Sequence, residues 1–224
     1  MTATLVCGAR PQFPDTMRPD ARGLVAVGGD LTPETIVEAA RKGAFAWSDE
    51  EPIPWYSPDP RAVLVPRAFR WDHGSEALRR KVRVTMDTAF EQVVTACATV
   101  PRRAPGTWIG ETLRRAWSDL HAKGVTHSVE VWDGADLVGG LIGHNIGAVF
   151  FGETMFHVRR DASKVALGVL CGQLHAGGVK LIDCQQDTAH LRRLGATAVP
   201  RLRYLLLLRM ALEVPDRWPR VVAN

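Results

Sequence analysis

The sequence predicts an α+β fold: a small N-terminal domain over residues 1–60, then a larger domain over residues 61–224 built on a mixed sheet flanked by helices. Three observations lead there. Residues 127–156 alternate with period two, whereas the segments on either side carry the 3.6-residue period of amphipathic helices. The helical segments are punctuated by capping residues and by glycines that stop them. Between the two parts, Pro52–Pro60 (P-I-P-W-Y-S-P-D-P) puts four prolines into nine residues. No helix or central strand accommodates that density, so the stretch reads as an ordered, stiff connection and marks the domain boundary.

Before the boundary, Gly23–Val27 reads as a short strand and Gly28-Gly29-Asp30 as a turn. Thr32 caps a helix with Pro33 at its first position, and Gly43 stops it. After the boundary, Ala62–Val65 and Val82–Met86 read as strands, and Asp87 begins a helix that runs to about Thr99. A second helix runs from Glu111 to Lys123 and is closed by Gly124. His127–Trp132, an Asp133-Gly134 turn, Leu137–Ile142 and Val149–Phe156 then suggest three antiparallel strands joined by hairpins. A long helix over Ala162–Ala176 ends at Gly177-Gly178. Lys180–Cys184 is a short apolar strand, Asp187 caps a helix ending at Gly195, and Pro200 opens a last helix through Leu212. Antiparallel strands followed by a helical crossover are compatible with several mixed sheets, the acyltransferase sheet of the N-acetyltransferase kind among them.

Composition excludes whole classes. With 46% apolar and 23% charged residues, the 224-residue chain has the balance of a globular protein, not of a disordered or collagen-like one. No apolar run approaches the ~20 residues that cross a bilayer; the longest, Tyr204–Leu208, is bounded by Arg203 and Arg209. The apolar patch Ala3–Ala9 has no basic lead-in. A cytoplasmic protein with no membrane partner is therefore expected. Cys7, Cys97, Cys171 and Cys184 form no C-x-x-C pair. Cys171 with His175, or Cys184 with His190, offers two ligands at most, so buried thiols are expected and no metal.

Charge is unevenly spread. Residues 1–60 carry 5 basic and 9 acidic groups, whereas residues 61–124 carry 12 and 6. Arginines outnumber lysines 23 to 5, which suits phosphate recognition but also follows from a coding bias. Arg79-Arg80-Lys81, Arg102-Arg103 and Arg114-Arg115 can track a nucleic-acid backbone or simply form solvated helix faces.

Three groups of residues can carry chemistry. In Leu181-Ile182-Asp183-Cys184-Gln185, strand alternation puts Asp183 and Gln185 on one face, roughly 6–7 Å apart, and Cys184 on the other. A carboxylate and a carboxamide so placed can hold and orient an amine, while Cys184 becomes a core thiol. Glu153 sits among large apolar residues, where an unpaired charge is costly and calls for a partner or a ligand. Phe150, Met155 and Leu141 can line an apolar pocket beside it, or simply be core. Trp47, Trp55 and Trp108 fall in loops, Trp108 beside basic groups, and an indole so placed can stack on an unpaired base or anchor its loop. No G-x-x-x-x-G-K-[ST] phosphate loop and no G-x-S-x-G elbow occurs.

The blocks G-L-V-A-V-G-G-D-L-T-P-E, F-A-W, W-Y-S-P-D-P-R, G-T-W-I, H-S-V-E-V-W, G-E-T-M-F, D-A-S-K-V-A-L and L-I-D-C-Q occur in that order. Together, from about Gly23 to Pro200, they resemble the leucyl/phenylalanyl-tRNA–protein transferases of bacteria. The resemblance implies a small N-terminal domain and an N-acetyltransferase-like catalytic domain. It implies transfer of leucine or phenylalanine, methionine weakly, from charged tRNA to proteins beginning with Arg or Lys, which marks them for degradation. By motif, Trp47 and Trp108 would hold the terminal adenosine of the tRNA. Leu141, Phe150, Met155, Leu170 and Leu174 would line the aminoacyl pocket with Glu153 beside it. Asp183 and Gln185 would be catalytic, orienting the incoming α-amine. An aminoacyl ester is already activated, so no cofactor, metal or covalent intermediate is expected.

The chain departs from the family pattern at several points. F-A-W stands for the usual F-P-W, W-Y-S-P for W-W-S-P, and Gly152-Glu153-Thr154-Met155-Phe156-His157 for G-E-S-M-F-S. Tyrosines associated with the positions of Ala40 and Trp117 are missing, and with them their hydroxyl contacts. Two other readings compete. An N-acetyltransferase using acetyl-coenzyme A would need an R-x-x-G-x-[GA] turn, which the loop Val158–Lys164 lacks. An RNA-binding module would not need Glu153, Asp183 and Gln185.

Overall fold

Two β-sheets and seven α-helices organise residues 5–7, 13–14, 17–101 and 107–219, which the computed structural model describes. In chain order they are β1 (Leu5–Cys7), β2 (Leu24–Gly28), α1 (Pro33–Arg41), β3 (Phe45–Ala46), β4 (Pro54–Tyr56), β5 (Arg61–Leu64), α2 (His73–Arg79), β6 (Arg83–Met86), α3 (Phe90–Thr99), α4 (Glu111–Ala122), β7 (Thr126–Asp133), β8 (Asp136–Ile146), β9 (Val149–His157), α5 (Ala162–Gly177), β10 (Leu181–Asp183), α6 (Ala189–Arg193), β11 (Thr197–Val199) and α7 (Arg201–Leu212). The fold is α+β, with a small N-terminal part and a mixed sheet flanked by helices.

The first sheet has the order β1-β2-β4-β3. Here the proline stretch differs from its expected role as a plain connection. Its centre is β4, a strand paired with β2 on one side and β3 on the other. The prolines permit this because Pro54 opens the three-residue strand while Pro58 and Pro60 lie beyond its end. Trp55, expected in an exposed loop, is buried at 1% exposure. Its Nε1–H donates to the Gly28 carbonyl at 2.9 Å, and it meets Phe13 edge-on.

The second sheet has the order β11-β5-β10-β9-β8-β7-β6. Strands β7, β8 and β9 form the expected antiparallel meander, and α5 carries the chain across to β10, which runs parallel to β9. Glu130 on β7 is fully buried, with Thr85, Thr88 and Ser128 hydroxyls donating to its carboxylate. This network accounts for the polar positions of H-S-V-E-V-W.

Several element ends differ from the sequence reading. Asp87 does not begin α3; it adopts φ 57° and accepts from the Ser128 amide and the Trp218 indole while its Oδ2 lies 2.8 Å from His127 Nδ1. Asp187 does not cap α6, because it pairs with Arg192, and Thr188 caps the helix instead. Both acidic residues are recruited by partners distant in the fold or one turn on, which local capping rules do not see. Helix α2 and strands β1, β3 and β11 have no counterpart in the sequence reading. Arg102-Arg103 lies outside the described residues.

One buried cluster joins Phe13, Ile36 and Trp55 of the N-terminal part to Phe90, Trp117, Ile142 and Phe156. A second packs α5 against the face of the large sheet that carries Leu141, Phe150 and Ile182. Helix α7 covers the other face through Tyr204 and Leu208. Its Arg201 binds back to the proline stretch, through Ser57 Oγ at 2.7 Å and, from its backbone amide, Asp59 Oδ1 at 3.0 Å.

Candidate active site

The site arises where β10 leaves β9. Ile182 pairs with Phe150 and Asp183 with Phe151, and there β10 ends, although β9 continues to His157. On its other side the chain stays bound to β5: Cys184 N–H donates to the Ala62 carbonyl and Ala62 N–H to the Gln185 carbonyl. Gln185 takes φ 60°, a left-handed conformation that costs a non-glycine residue about 1 kcal/mol or more. The turn separates the two parallel strands and opens a cleft between them.

Strand β9 carries a second irregularity. Gly143 of β8 pairs with Gly152, and Ile142 pairs with Thr154, so Glu153 has no partner in the ladder and forms a β-bulge. A bulge re-aims its side chain, and here the carboxyl turns into the cleft. Gly143 is required at this point, because a Cβ there would run into the Phe151 carbonyl oxygen and the Phe150 ring.

The cleft holds a cavity of about 290 Å³. Its walls are apolar, formed by Leu141, Ile142, Phe150, Met155, Leu167 and Ile182 among others. Glu153 and Gln185 line it together, with Gln185 Nε2 donating to Glu153 Oε1 at 3.3 Å. Trp47 and Trp108, both half-buried, line it as well. Trp47 lacks the family's usual neighbouring proline but is braced by Tyr56, edge-on at 5.2 Å, and by Phe45 at 5.8 Å. Trp108 meets buried Trp117 edge-on at 5.9 Å.

Three expected site residues stand elsewhere. Leu170 and Leu174 are fully buried in the cluster that contains Leu141 and Phe150, and they back the cavity without lining it. Helical spacing alone cannot separate the first layer of a wall from the second. Asp183 is likewise fully buried and does not line the cavity. Its Oδ1 accepts from Arg61 Nε at 2.8 Å and from the Gln185 amide at 2.9 Å, and its Oδ2 accepts from Arg61 Nη2 at 2.6 Å and from Tyr204 Oη–H at 2.7 Å. A carboxylate offers about four lone-pair sites, and all are taken. Asp183 therefore cannot receive an amine; it locks the turn that presents Gln185. Strand alternation holds through Cys184, which lines the cavity on the Ile182 side opposite Asp183 and packs against the core cluster there. It fails at Gln185, whose φ of 60° brings it to the cavity as well and off the Asp183 face on which alternation would put it. Burial and the Asp183 charge push the Cys184 thiol up, which keeps it protonated and unreactive.

Arg61 was not singled out in the sequence. It is 1% exposed, lies between the Phe45 and Tyr204 rings at 5.0 and 4.7 Å, and donates from Nη1 to the Gly43 carbonyl. The only trace of it in the sequence is a charge opening an apolar strand, R-A-V-L. His144, on β8, was also missed. It is buried, its Nδ1 lies 2.7 Å from Thr126 Oγ1, and its Nε2 lies 3.5 Å from Glu153 Oε1.

Electrostatics set two protonation states. Burial first, and the Asp183 charge second, push Glu153 from 4.5 up to about 8, against the Gln185 hydrogen bond and the Arg61 charge. Burial, with His127 nearby, pulls His144 from 6.5 down to about 3, so its ring is neutral at physiological pH. A carboxyl that titrates near neutrality in an apolar cavity can take up and release a proton.

A partly open apolar cavity lined by a carboxyl that titrates near neutrality, a carboxamide and two indoles is compatible with a group transferase that holds an apolar acyl donor. The sequence relatives give the family. The family model for the leucyl/phenylalanyl-tRNA protein transferases matches residues 63–209, and the model for their N-terminal domain matches residues 29–59. The leucyl/phenylalanyl-tRNA–protein transferase of Legionella pneumophila (strain Lens) is 43% identical over 207 residues, 92% of this chain and 93% of that protein. The Myxococcus xanthus (strain DK1622) protein of the same name is 46% identical over 212 residues, covering 92% and 89%. Among solved structures, a GCN5-related N-acetyltransferase from Kribbella flavida is 13% identical over 72% of this chain and 59% of that one, with a TM-score of 0.38. By its family match and these sequence relatives, the molecule is an aminoacyltransferase. The chain belongs to the leucyl/phenylalanyl-tRNA–protein transferase family.

Proposed function

We propose that the chain moves leucine or phenylalanine, and methionine less well, from charged tRNA to the N-terminal α-amine of proteins that begin with Arg or Lys. The transfer marks those proteins for degradation in the cytoplasm. The observation that carries this reading is the cavity of about 290 Å³, apolar in its walls, with Glu153 and Gln185 hydrogen-bonded to each other at its surface.

The aminoacyl side chain enters between Leu141, Phe150 and Met155, backed by Leu170 and Leu174. Burial of each methylene contributes about 0.8 kcal/mol, which favours leucine and phenylalanine over alanine. Trp47 and Trp108 stack on the terminal adenosine. The acceptor's α-ammonium meets Gln185 and Glu153. One proton passes from the ammonium to the Glu153 carboxylate, and the nitrogen lone pair attacks the ester carbonyl carbon. The tetrahedral intermediate collapses as the carbon–oxygen bond to the ribose breaks. The second proton, lost from nitrogen as the amide forms, goes to the leaving ribose oxygen, and Glu153 returns its proton to solvent. Holding amine and ester together supplies the rest of the acceleration. Asp183 and Arg61 act through position, keeping the Gln185 turn in place.

The test charges one tRNA body with leucine, phenylalanine, methionine, isoleucine or aspartate and follows transfer to a peptide beginning with Arg. Leucine and phenylalanine should transfer best and methionine more slowly. Isoleucine should fail by its β-branch and aspartate by its unpaired charge. Efficient isoleucine or aspartate transfer would overturn the pocket assignment, and absence of leucine transfer would overturn the reading. Acetyl-coenzyme A in place of charged tRNA should give no product.

A further inference from the structure

Glu153 lines a second, smaller cavity behind the first. This one is about 20 Å³ and is bounded by Ala40 of α1, Ala44 just past that helix, Trp117 of α4, Trp55 of β4, and His144. Ala40 and Trp117 are the two positions where the family resemblance leads one to expect tyrosines. His144 Nε2 is aimed at this space, is fully buried, and has no hydrogen-bond partner among the described groups. A buried ring nitrogen left without a partner is costly. A cavity of this size holds one water molecule when polar groups are there to bind it. The titratable groups lining it are His144 and Glu153, with His144 Nε2 3.5 Å from Glu153 Oε1, a span that a water beside them bridges.

We propose that one water molecule occupies this cavity, accepts from His144 Nε2–H and donates to the Glu153 carboxylate, making His144 the positioning residue for the proton-accepting carboxyl. The tautomer follows from the other ring nitrogen: the Thr126 hydroxyl donates to Nδ1 at 2.7 Å, leaving the ring proton on Nε2. The β-bulge supplies the reason for the arrangement, because it turns Glu153 so that one carboxyl borders both the reaction cavity and the water cavity. The titratable groups around the carboxyl are His144 on β8, Asp183 and Cys184 at the end of β10, and Arg61 on β5, with Tyr204 of α7 bonded to Asp183; His127 on β7 neighbours His144. None of the others reaches the small cavity. The water stabilises the ionised carboxyl, so removing it raises the pH at which Glu153 gives up its proton. The role assigned to Glu153 rests on the transfer reaction proposed above, whereas the water bridge does not.

The test compares the unmodified chain with His144→Val, which removes the ring, Ala40→Val, which fills the cavity and keeps the ring, and His144→Gln, which restores a donor. Ionisation of Glu153 is read without substrate from the infrared carboxyl band of protein labelled with carbon-13 glutamate, with Glu153→Gln identifying the band. His144→Val and Ala40→Val should each raise the midpoint by about one pH unit or more, and His144→Gln should return it toward the original. In transfer assays the first two should lower kcat about tenfold, move the acid limb of its pH profile upward, and leave KM for charged tRNA within about twofold. Thermal unfolding shows which variants fold; should His144→Val not fold, Ala40→Val decides. An unchanged midpoint in Ala40→Val would overturn the proposal whatever the transfer rates. A shifted midpoint in a chain with no transferase activity would support the water bridge and remove the reaction instead.

Discussion

Burial pushes Glu153 from 4.5 up to about 8, so between those pH values the folded chain keeps a proton that the unfolded chain has released. Stability therefore falls as pH rises across that window. His144 acts at the other end. Pulled from 6.5 down to about 3, it obliges the folded chain to forgo a proton that the unfolded chain binds, and stability falls as pH drops through that range. Glu153→Gln should remove the alkaline decline: the variant should match the parent near pH 4 and exceed it at pH 8 in urea-denaturation midpoints. A parallel pair of curves would show that the carboxyl is not held protonated. The indoles make a separate residue-scale prediction. Trp108→Ala should weaken binding of charged tRNA by about 1–3 kcal/mol if the ring stacks on a base, read by filter binding at fixed salt. Unchanged affinity would reduce Trp108 to a packing contact with Trp117.

Among the elements, the joint of β5, β10 and α7 matters most, because it holds the cleft open. Arg61, Asp183 and Tyr204 come one from each of these elements and are all buried. Breaking such a pair from one side leaves a buried charge without its partner, which costs about 3–5 kcal/mol, whereas removing both charges costs much less. Asp183→Ala should accordingly lose about that much stability and at least ~10²-fold in transfer, since the Gln185 turn loses its anchor. Asp183→Ala combined with Arg61→Met should recover stability in chemical denaturation but not transfer. Equal stability of the single and double variants would mean that the ion pair is not what the joint depends on. Gly143 tests the bulge. Gly143→Ala puts a methyl into the Phe151 carbonyl oxygen as well as the Phe150 ring, so the bulge must shift. Transfer of leucine and phenylalanine should then both fall about tenfold or more in initial-rate assays; unchanged rates would mean that the bulge does not aim Glu153.

At the scale of the whole molecule, the basic excess lies in residues 61–124. Part of it is spent locally: Arg79 and Arg80 both reach Glu76, and Arg114 and Arg115 both reach Glu111. These are exposed pairs worth little on their own, and phosphates can replace the carboxylates as partners. Affinity for charged tRNA should fall at least about tenfold between 50 and 200 mM salt, as displaced counterions no longer favour the complex. A flat response would mean that the basic face does not track the RNA backbone. Among the described residues, the exposed large apolar side chains that lie on a helix belong to α7, Leu202, Leu206 and Met210 among them.

Periodicity was enough for the meander of β7, β8 and β9, and periodicity together with caps, prolines and stop glycines for helices α1, α3, α4, α5 and α7, because those signals are written in consecutive residues. The motifs likewise brought Trp47, Trp108, Leu141, Phe150, Met155, Glu153 and Gln185 to one cavity. The strand over Pro54–Tyr56 was hidden because its stability comes from two neighbouring strands, one of them only two residues long, and not from its own propensities. The role of Asp183 and the face taken by Gln185 were beyond local reasoning for a related cause. Alternation holds only while a strand remains a strand, and β10 stops at Asp183 because β5 keeps the chain after β9 has let it go. Arg61, 122 positions away in sequence, and Tyr204 then fill every acceptor site of Asp183. The sequence by itself determined which residue types were available for the chemistry and the periods in which they repeat. Tertiary structure alone decided which of them reach the cavity, since that depends on one bulge and one strand ending, both products of pairing between distant segments.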